Sequence, residues 1–523
     1  SEFTIQNGMA FPGYFDSGPF AGGVGGGIIC DGASPVLKNL IIKNNATPSG
    51  SNYGGGIFAK AGNISIENCV VKNNTSDNGS GIWIYGGSGG SSGSIKNSVI
   101  YDNTSGSGSQ NSSLCIASAS GSNASLINSV IYNNNNIGVK VVDGSTLNII
   151  NSIIMNNGVS ADSAQILIGG FPSAPGTMII NHSMISNGQS VITIEEGGTL
   201  VWGSGNIDVN PMFVDAANGN YNLLASSMLI NAGHPDSTDS DGTIADIGAY
   251  PYLNSYSGPT WYITESGNDS TATGASGDPF RSIQAGINFS SDTDSVTVAA
   301  GTYVENIDFR GKSIAVIGED RETTIITPAI SNTPIITFEN DEGITSESLL
   351  SDFTFTGGDD YTFEIVYGPR PTIKNCIITN NTNYYLEGTV RIDGAAPIFY
   401  NTLFYNNGNV LDFGPNSSAE NYNTQLNNCT FVNNYGLGIS DNQSNPIIIS
   451  NSIINDHEDS TIIGNYDIFY SNVEGYNDGS GNIDVDPMFA DTANGDFNLL
   501  ADSRCIDAGH PDSTDADGTR ADM

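Results

Sequence analysis

The chain has 523 residues, with 15 Lys and Arg against 55 Asp and Glu and a formal net charge of -40. No basic stripe exists to neutralise phosphates, so nucleic acid is not expected as a partner, and an anionic membrane surface would repel the chain; divalent cations are the natural counter-charge. No run approaches a transmembrane span, six cysteines without a CxxC pair read as buried thiols, and 64 Gly with abundant Asn and Ser predict short strands and frequent turns.

From the N-terminus one motif recurs: "KNLIIKNN" from Lys38, "ENCVVKNN" from Glu67, "KNSVIYDN" from Lys96, "INSVIYNN" from Ile127, "INSIIMNN" from Ile150 and "NHSMISN" from Asn181. Its first Asn advances by 29, 29, 31, 23 and 30 residues. The second half repeats it at Asn375, Asn401, Asn428 and Asn451, in steps of 26, 27 and 23. A period in the twenties marks a solenoid, and short segments rich in Ile and Val between turn residues read as strands. The expected fold is all-β: tandem right-handed parallel β-helices, roughly twenty coils at about 4.8 Å each. Asn suits the left-handed turns between sheets, and stacked amides can form ladders along the axis. Alternation turns Leu40, Cys69, Ser98, Ser129, Ser152 and Ser183 inward with Ile42, Val71, Ile100, Ile131, Ile154 and Ile185. It leaves Ile41, Val70, Val99, Val130, Ile153 and Met184 as an aliphatic column on the outer face. Such a column reads either as covered, by a loop, a second chain or a filament neighbour, or as β-branched residues that simply suit an exposed strand.

Residues 205–246 and 481–522 align without gaps, differing at 11 of 42 positions. Each copy ends in an acidic phrase, "GHPDSTDSDGTIAD" from Gly233 and "GHPDSTDADGTRAD" from Gly509. Between them a fresh start appears: an extended strand, then Asp278-Pro279-Phe280, a short helix over about 281–288 that would cover the open first coil, and the strand "SVTVAAGTY". The expected organisation is a β-helix over 1–204, an Asp-rich cap or linker over 205–255, a second β-helix over 256–475 with its capping helix, and a second Asp-rich cap over 476–523. Both ends read as cut from a longer array.

"GGGIICDGASPVLKNLIIKNN" (Gly25–Asn45) and "NYGGGIFAKAGNISIENCVVKNN" (Asn52–Asn74) resemble the secreted right-handed parallel β-helix proteins of the pectin-lyase-like superfamily. The Phe-x-x-Asn elements at Phe404–Asn407 and Phe431–Asn434 are similar to passenger repeats of polymorphic outer-membrane autotransporters. The resemblance implies an extracellular or cell-surface location, and a superfamily that spans lyases, hydrolases, adhesins and structural proteins.

An enzyme of this fold needs specific groups. A lyase needs carboxylate-held Ca²⁺ and a basic residue; Arg370 and Arg391 are the candidates. A hydrolase needs paired acids, and Asp359-Asp360 is the pair available. Each also reads as an ordinary turn or strand residue. His182, His234, His457 and His510 form no Ser–His–Asp set. Tyr384 and Tyr385 could stack on an uncharged sugar. The expectation is a non-catalytic structural or adhesive surface protein that self-associates laterally or head-to-tail. The alternative is a polysaccharide-active enzyme or a glycan-binding module. Asp236, Asp239, Asp241 and Asp246, with Asp512, Asp515, Asp517 and Asp522, are the metal candidates. Asp-x-Asp-Gly directs alternate carboxylates at one point and resembles Asp-rich calcium loops, without the bidentate Glu of a full EF-hand. An acidic turn capping its own backbone is the leading reading, and Ca²⁺ held by these carboxylates is the alternative.

Overall fold

In a computed structural model the described residues are 3–10, 23–48, 52–87, 90–106, 111–118, 121–158, 165–171, 174–195, 197–339, 348–381, 388–414, 422–435, 446–455, 465–476 and 478–523. The chain divides into two units, Ser1–Ser255 and Tyr256–Met523. In the first, three parallel sheets of seven strands each wrap one bore. A representative coil runs from Ile57–Lys60 to Asn63–Glu67 to Val70–Lys72, each in a different sheet. Parallel sheets of nine, eight and five strands build the second unit. The stack is therefore shorter than twenty coils, because each coil takes up to 31 residues and the two Asp-rich segments add none.

The repeated motif assigns each Asn a separate task. The first Asn turns the corner between sheets in the left-handed region, with φ of 57° at Asn39, 52° at Asn68 and 48° at Asn97. The next, at Asn44, Asn73 and Asn133, does the same at the end of the strand. Other L-residues pay about 1–2 kcal/mol for that conformation. The third Asn lies inside and forms the ladder. Nδ2 of Asn45, Asn74, Asn103 and Asn134 donates to Oδ1 of the next at 3.0, 3.0, 3.0 and 2.8 Å. Asn157 then donates to Gln165 Oε1 at 3.0 Å. Asn381, Asn407 and Asn434 repeat the ladder in the second unit at 3.1 and 3.0 Å.

Inward alternation is as expected: Ile42, Val71, Ile100, Ile131, Ile154 and Ile185 are fully buried. The small inward slot carries a hydroxyl chain that the sequence did not suggest. Ser98, Ser129 and Ser152 each accept the N–H of the preceding coil at 3.1–3.3 Å, while each Oγ donates to the carbonyl two residues before it. The six cysteines are free and buried, and burial pushes the thiols of Cys115, Cys376 and Cys429 up to about 12. In the second unit phenylalanines fill the bore, Phe404 stacking on Phe431 with centroids 4.7 Å apart.

The helix expected over 281–288 forms at Ile283–Phe289 and packs against the first strands of the second unit. Its ends are tied by charge. Glu305 accepts the N–H groups of Ile283 and Gln284 at 2.9 and 3.1 Å, and Lys312 Nζ donates to the carbonyls of Ile287, Asn288 and Ser290 at 2.7–3.0 Å. These are the orphan groups at the two ends of a helix.

The aliphatic column has its cover within the chain. Val99, Val130 and Ile153 are fully buried although they face outward. The segment after the last coil folds back over them as a strap. Tyr221 lies edge-on to Tyr101 and Tyr132, with centroids 5.1 and 5.3 Å apart, and Phe213 sits 5.9 Å from Tyr132. His234 N donates to Asn151 Oδ1 at 2.8 Å and Gly248 N to the Asn151 carbonyl at 2.9 Å. Gly248 takes a φ of 138°, which L side chains rarely adopt, and a Cβ there would lie 3.2 Å from Ile153 Cδ1, so glycine suits the crossing of the strap. In the second unit Phe497 packs on Tyr405 at 5.1 Å, His510 N donates to Asn451 Oδ1 at 2.6 Å, and Ile453 is buried with Cys505 and Met523. Of the covers the column predicted, a segment of the same chain lies over Val99, Val130 and Ile153, while Ile41 and Val70 stay half-buried.

Candidate functional site

The two acidic phrases form the same loop twice. Asp239 N donates to the Thr243 carbonyl, and Asp515 N to that of Thr519, both at 3.0 Å. Asp239 Oδ2 accepts Asp246 N at 2.9 Å, and Asp515 Oδ2 accepts Asp522 N at 3.0 Å. Asp246 Oδ1 accepts Asn231 N at 2.8 Å, and Asp522 Oδ1 accepts Asp507 N at 2.7 Å. Asp241 and Asp517 each take the N–H and hydroxyl of the Thr two residues on. Asp236 N and Asp512 N each donate to Nδ1 of the preceding His at 3.2 Å. Carboxylates so used act as caps of their own turns. Among the described residues no group of three or more His, Cys, Asp or Glu side chains is placed to hold a metal ion. Burial pushes Asp246 up to about 7, against the pull of its two backbone donors.

The other candidate lies on the five-stranded sheet of the second unit. Glu364, Arg391 and Asp412 occupy partnered positions on the successive strands Phe363–Val366, Val390–Asp393 and Leu411–Phe413. With Pro334, Asp360, Tyr361, Phe413 and Gly414 they line a cleft of about 530 Å³. Arg391 Nη1 bonds Glu364 Oε1 at 2.8 Å, and Nη2 lies 3.9 Å from Asp393 Oδ2. Tyr361 presents its ring 5.7 Å from the guanidinium and donates its hydroxyl to Asp412 Oδ2 at 3.3 Å. Burial pulls the Arg391 pKa down, but Glu364, Tyr361 and the nearby aspartates outweigh it and hold the guanidinium above its ordinary value.

Of the residues singled out from sequence, Arg391 and Asp360 meet in this cleft. Arg370 does not line it; it stacks on Tyr422, 3.6 Å from the ring centroid. Asp359 Oδ1 accepts Asn332 N at 2.9 Å, an ordinary loop cap. His182 and His234 pack edge to face at 4.8 Å, so both serve the strap. Tyr384, Tyr385 and His457 lie outside the described residues. Glu364, Tyr361 and Asp412 escaped the sequence reading; the signal was their register with Arg391, at spacings of 27 and 21 residues that only an aligned coil table reveals. No helix among the described residues is long and apolar enough to cross a membrane.

A family model described as "Right handed beta helix region" matches residues 26–213 and 286–474. Among solved structures, that of the PL6 family alginate lyase AlyGC is similar over 87% of this chain and 85% of that one, at 12% identity and a TM-score of 0.21. No curated protein matches the sequence.

Proposed function

The chain belongs to the right-handed β-helix family, and from that premise we propose that it is a non-catalytic structural protein of the cell exterior, a rigid spacer or adhesive surface rather than an enzyme. The observation that carries this reading is the ion pair at the cleft. A lyase base must be free to take a proton, yet Arg391 is bonded to Glu364 and raised further above its ordinary pKa by the acids around it. The surrounding Asp360, Glu364 and Asp412 would also repel a polyuronate. Self-association, the expected partner, is then end-to-end rather than lateral, because the strap occupies the outer column.

The test is incubation of the full chain with uronate and neutral polysaccharides, following new unsaturated products and new reducing ends. The reading expects neither. Product formation that disappears in Arg391→Ala would replace it with an enzyme. A glycan-binding role is favoured by one observation, the cleft itself, in which carboxylates and a guanidinium face solvent beside Tyr361. Saturable binding of a neutral oligosaccharide without turnover, lost in Arg391→Ala, would establish that reading.

A further inference from the structure

The two straps anchor alike on their coils, and they differ at one ring. His182 and Tyr470 hold matching corners: each donates its N–H to a carbonyl of the segment that follows, Ser204 or Ser480, at 2.9 Å, with φ of 44° and 47°. Each ring meets the histidine of the acidic phrase. His182 lies edge-on to His234 with centroids 4.8 Å apart, and Tyr470 to His510 at 4.7 Å. The hydrogen bonds around the two corners are unequal. In the second unit Asn451 Nδ2 donates to Asn428 Oδ1 at 3.4 Å. In the first, His182 Nδ1, Asn151 Nδ2 and Asn128 Oδ1 are all buried without a partner. The two acceptors beside His182 are already used. Asn151 Oδ1 takes His234 N at 2.8 Å, and His234 Nδ1 takes Asp236 N at 3.2 Å.

We propose that the first strap is an acid-sensitive latch: a proton on His182 releases it from the coils, while the second strap, held at Tyr470, stays docked. A proton on Nδ1 puts a donor and a charge in a buried position whose neighbouring acceptors are taken, and an unpaired buried charge is costly. The groups that face His182 do not offset it. On the strap stands His234, itself a base, with the exposed Asp236 two residues on; the coils on either side bring the neutral Asn151, Ser204 and Gly205. Burial and then His234 hold His182 below its ordinary value of 6.5. A base depressed in the docked state contributes stability that is complete above the undocked value and is lost as pH falls below it. A phenol gains no proton in that range, and the Tyr470 ring already faces a cation, Arg520, 5.8 Å from its centroid. Release would uncover Val99, Val130 and Ile153, which are fully buried under the docked strap.

Hydrogen–deuterium exchange by mass spectrometry on the full chain reads both straps at once, at about pH 7.5 and about pH 5, with each rate scaled to the intrinsic rate at that pH. Protection of 229–249 is expected to fall severalfold in acid while that of 505–522 holds. His182→Tyr, a residue that the matching corner of the second unit accepts, should abolish the fall, and Tyr470→His should bring it to 505–522. Protection of 229–249 that is unchanged in acid, or a fall shared equally by both straps, overturns the proposal. So does a fall that survives His182→Tyr. If that variant no longer docks its strap at neutral pH, the absence of acid release in Tyr470→His overturns the proposal instead.

Discussion

Asn103→Ala removes the centre of the buried ladder. Its Oδ1 accepts Asn74 N and Asn74 Nδ2, both at 3.0 Å. Its Nδ2 donates to the Val71 carbonyl at 3.0 Å, the Tyr101 carbonyl at 3.1 Å and Asn134 Oδ1 at 3.0 Å. Some partners retain other bonds: Asn74 Nδ2 keeps the Ile42 carbonyl, and Asn134 Oδ1 keeps Ser113 Oγ and the N–H of residue 103. The N–H of Asn74 is left in a buried site without its acceptor. An orphaned buried group costs about 1–3 kcal/mol, and the void and weakened carbonyls add to it, so the expected loss is about 3–5 kcal/mol. The exposed corner gives the contrast. Asn97→Ala forfeits only left-handed tolerance, about 1 kcal/mol, and Asn97→Gly forfeits almost nothing. Urea unfolding followed by tryptophan fluorescence measures this. In a Trp261→Phe background only Trp83 and Trp202 report, both in the first unit. A loss at Asn103 no larger than at Asn97 would refute the ladder as a source of stability.

Val99→Lys should destabilise the first unit and release the strap rather than solubilise single rods, because the side chain is fully buried under it; limited proteolysis within 205–255 would show the release. Glu305 is half-buried, and burial pushes its carboxyl up to about 7. A raised carboxyl favours the protonated folded state, so its stabilisation is complete below the unfolded pKa near 4.5 and is lost as pH rises through about 7, at most about 3 kcal/mol. Melting of the second unit followed at Trp261, which packs on Phe289 of the helix, should show that trend, and Glu305→Gln should flatten it. Removing divalent cations with a chelator should leave the melting of both straps unchanged if their carboxylates serve only to cap backbone N–H groups; a Ca²⁺-dependent rise in melting temperature would support the calcium reading instead.

The coils were legible because their information is local. The Asn of "KNLIIKNN" and the alternation of Ile42 with Leu40 repeat within one strand and its two turns. The sequence also raised a cover for the outer column as one of two readings, beside β-branched residues on an exposed strand. It could not name the strap as that cover, because His234 meets Asn151 across 83 residues and His510 meets Asn451 across 59. The ladder's position was blurred for a different reason. Three asparagines per repeat look alike in sequence, and only burial separates Asn45 from Asn39 and Asn44. The Arg391 cleft stayed hidden because coil length varies, so Glu364, Arg391 and Asp412 fall at unequal spacings.

The strap docked on its own β-helix is the central claim, and hydrogen–deuterium exchange by mass spectrometry on the intact chain tests it most directly. Amides of Asn231, Gly233, His234, Ala245, Asp246, Ile247 and Gly248 are all donors in the docked strap. The account predicts that peptides spanning 229–249 exchange as slowly as the coil strands Val99–Tyr101 and Val130–Tyr132 beneath them. Exchange of 229–249 at the rate of exposed loops, with those strands still protected, would contradict it.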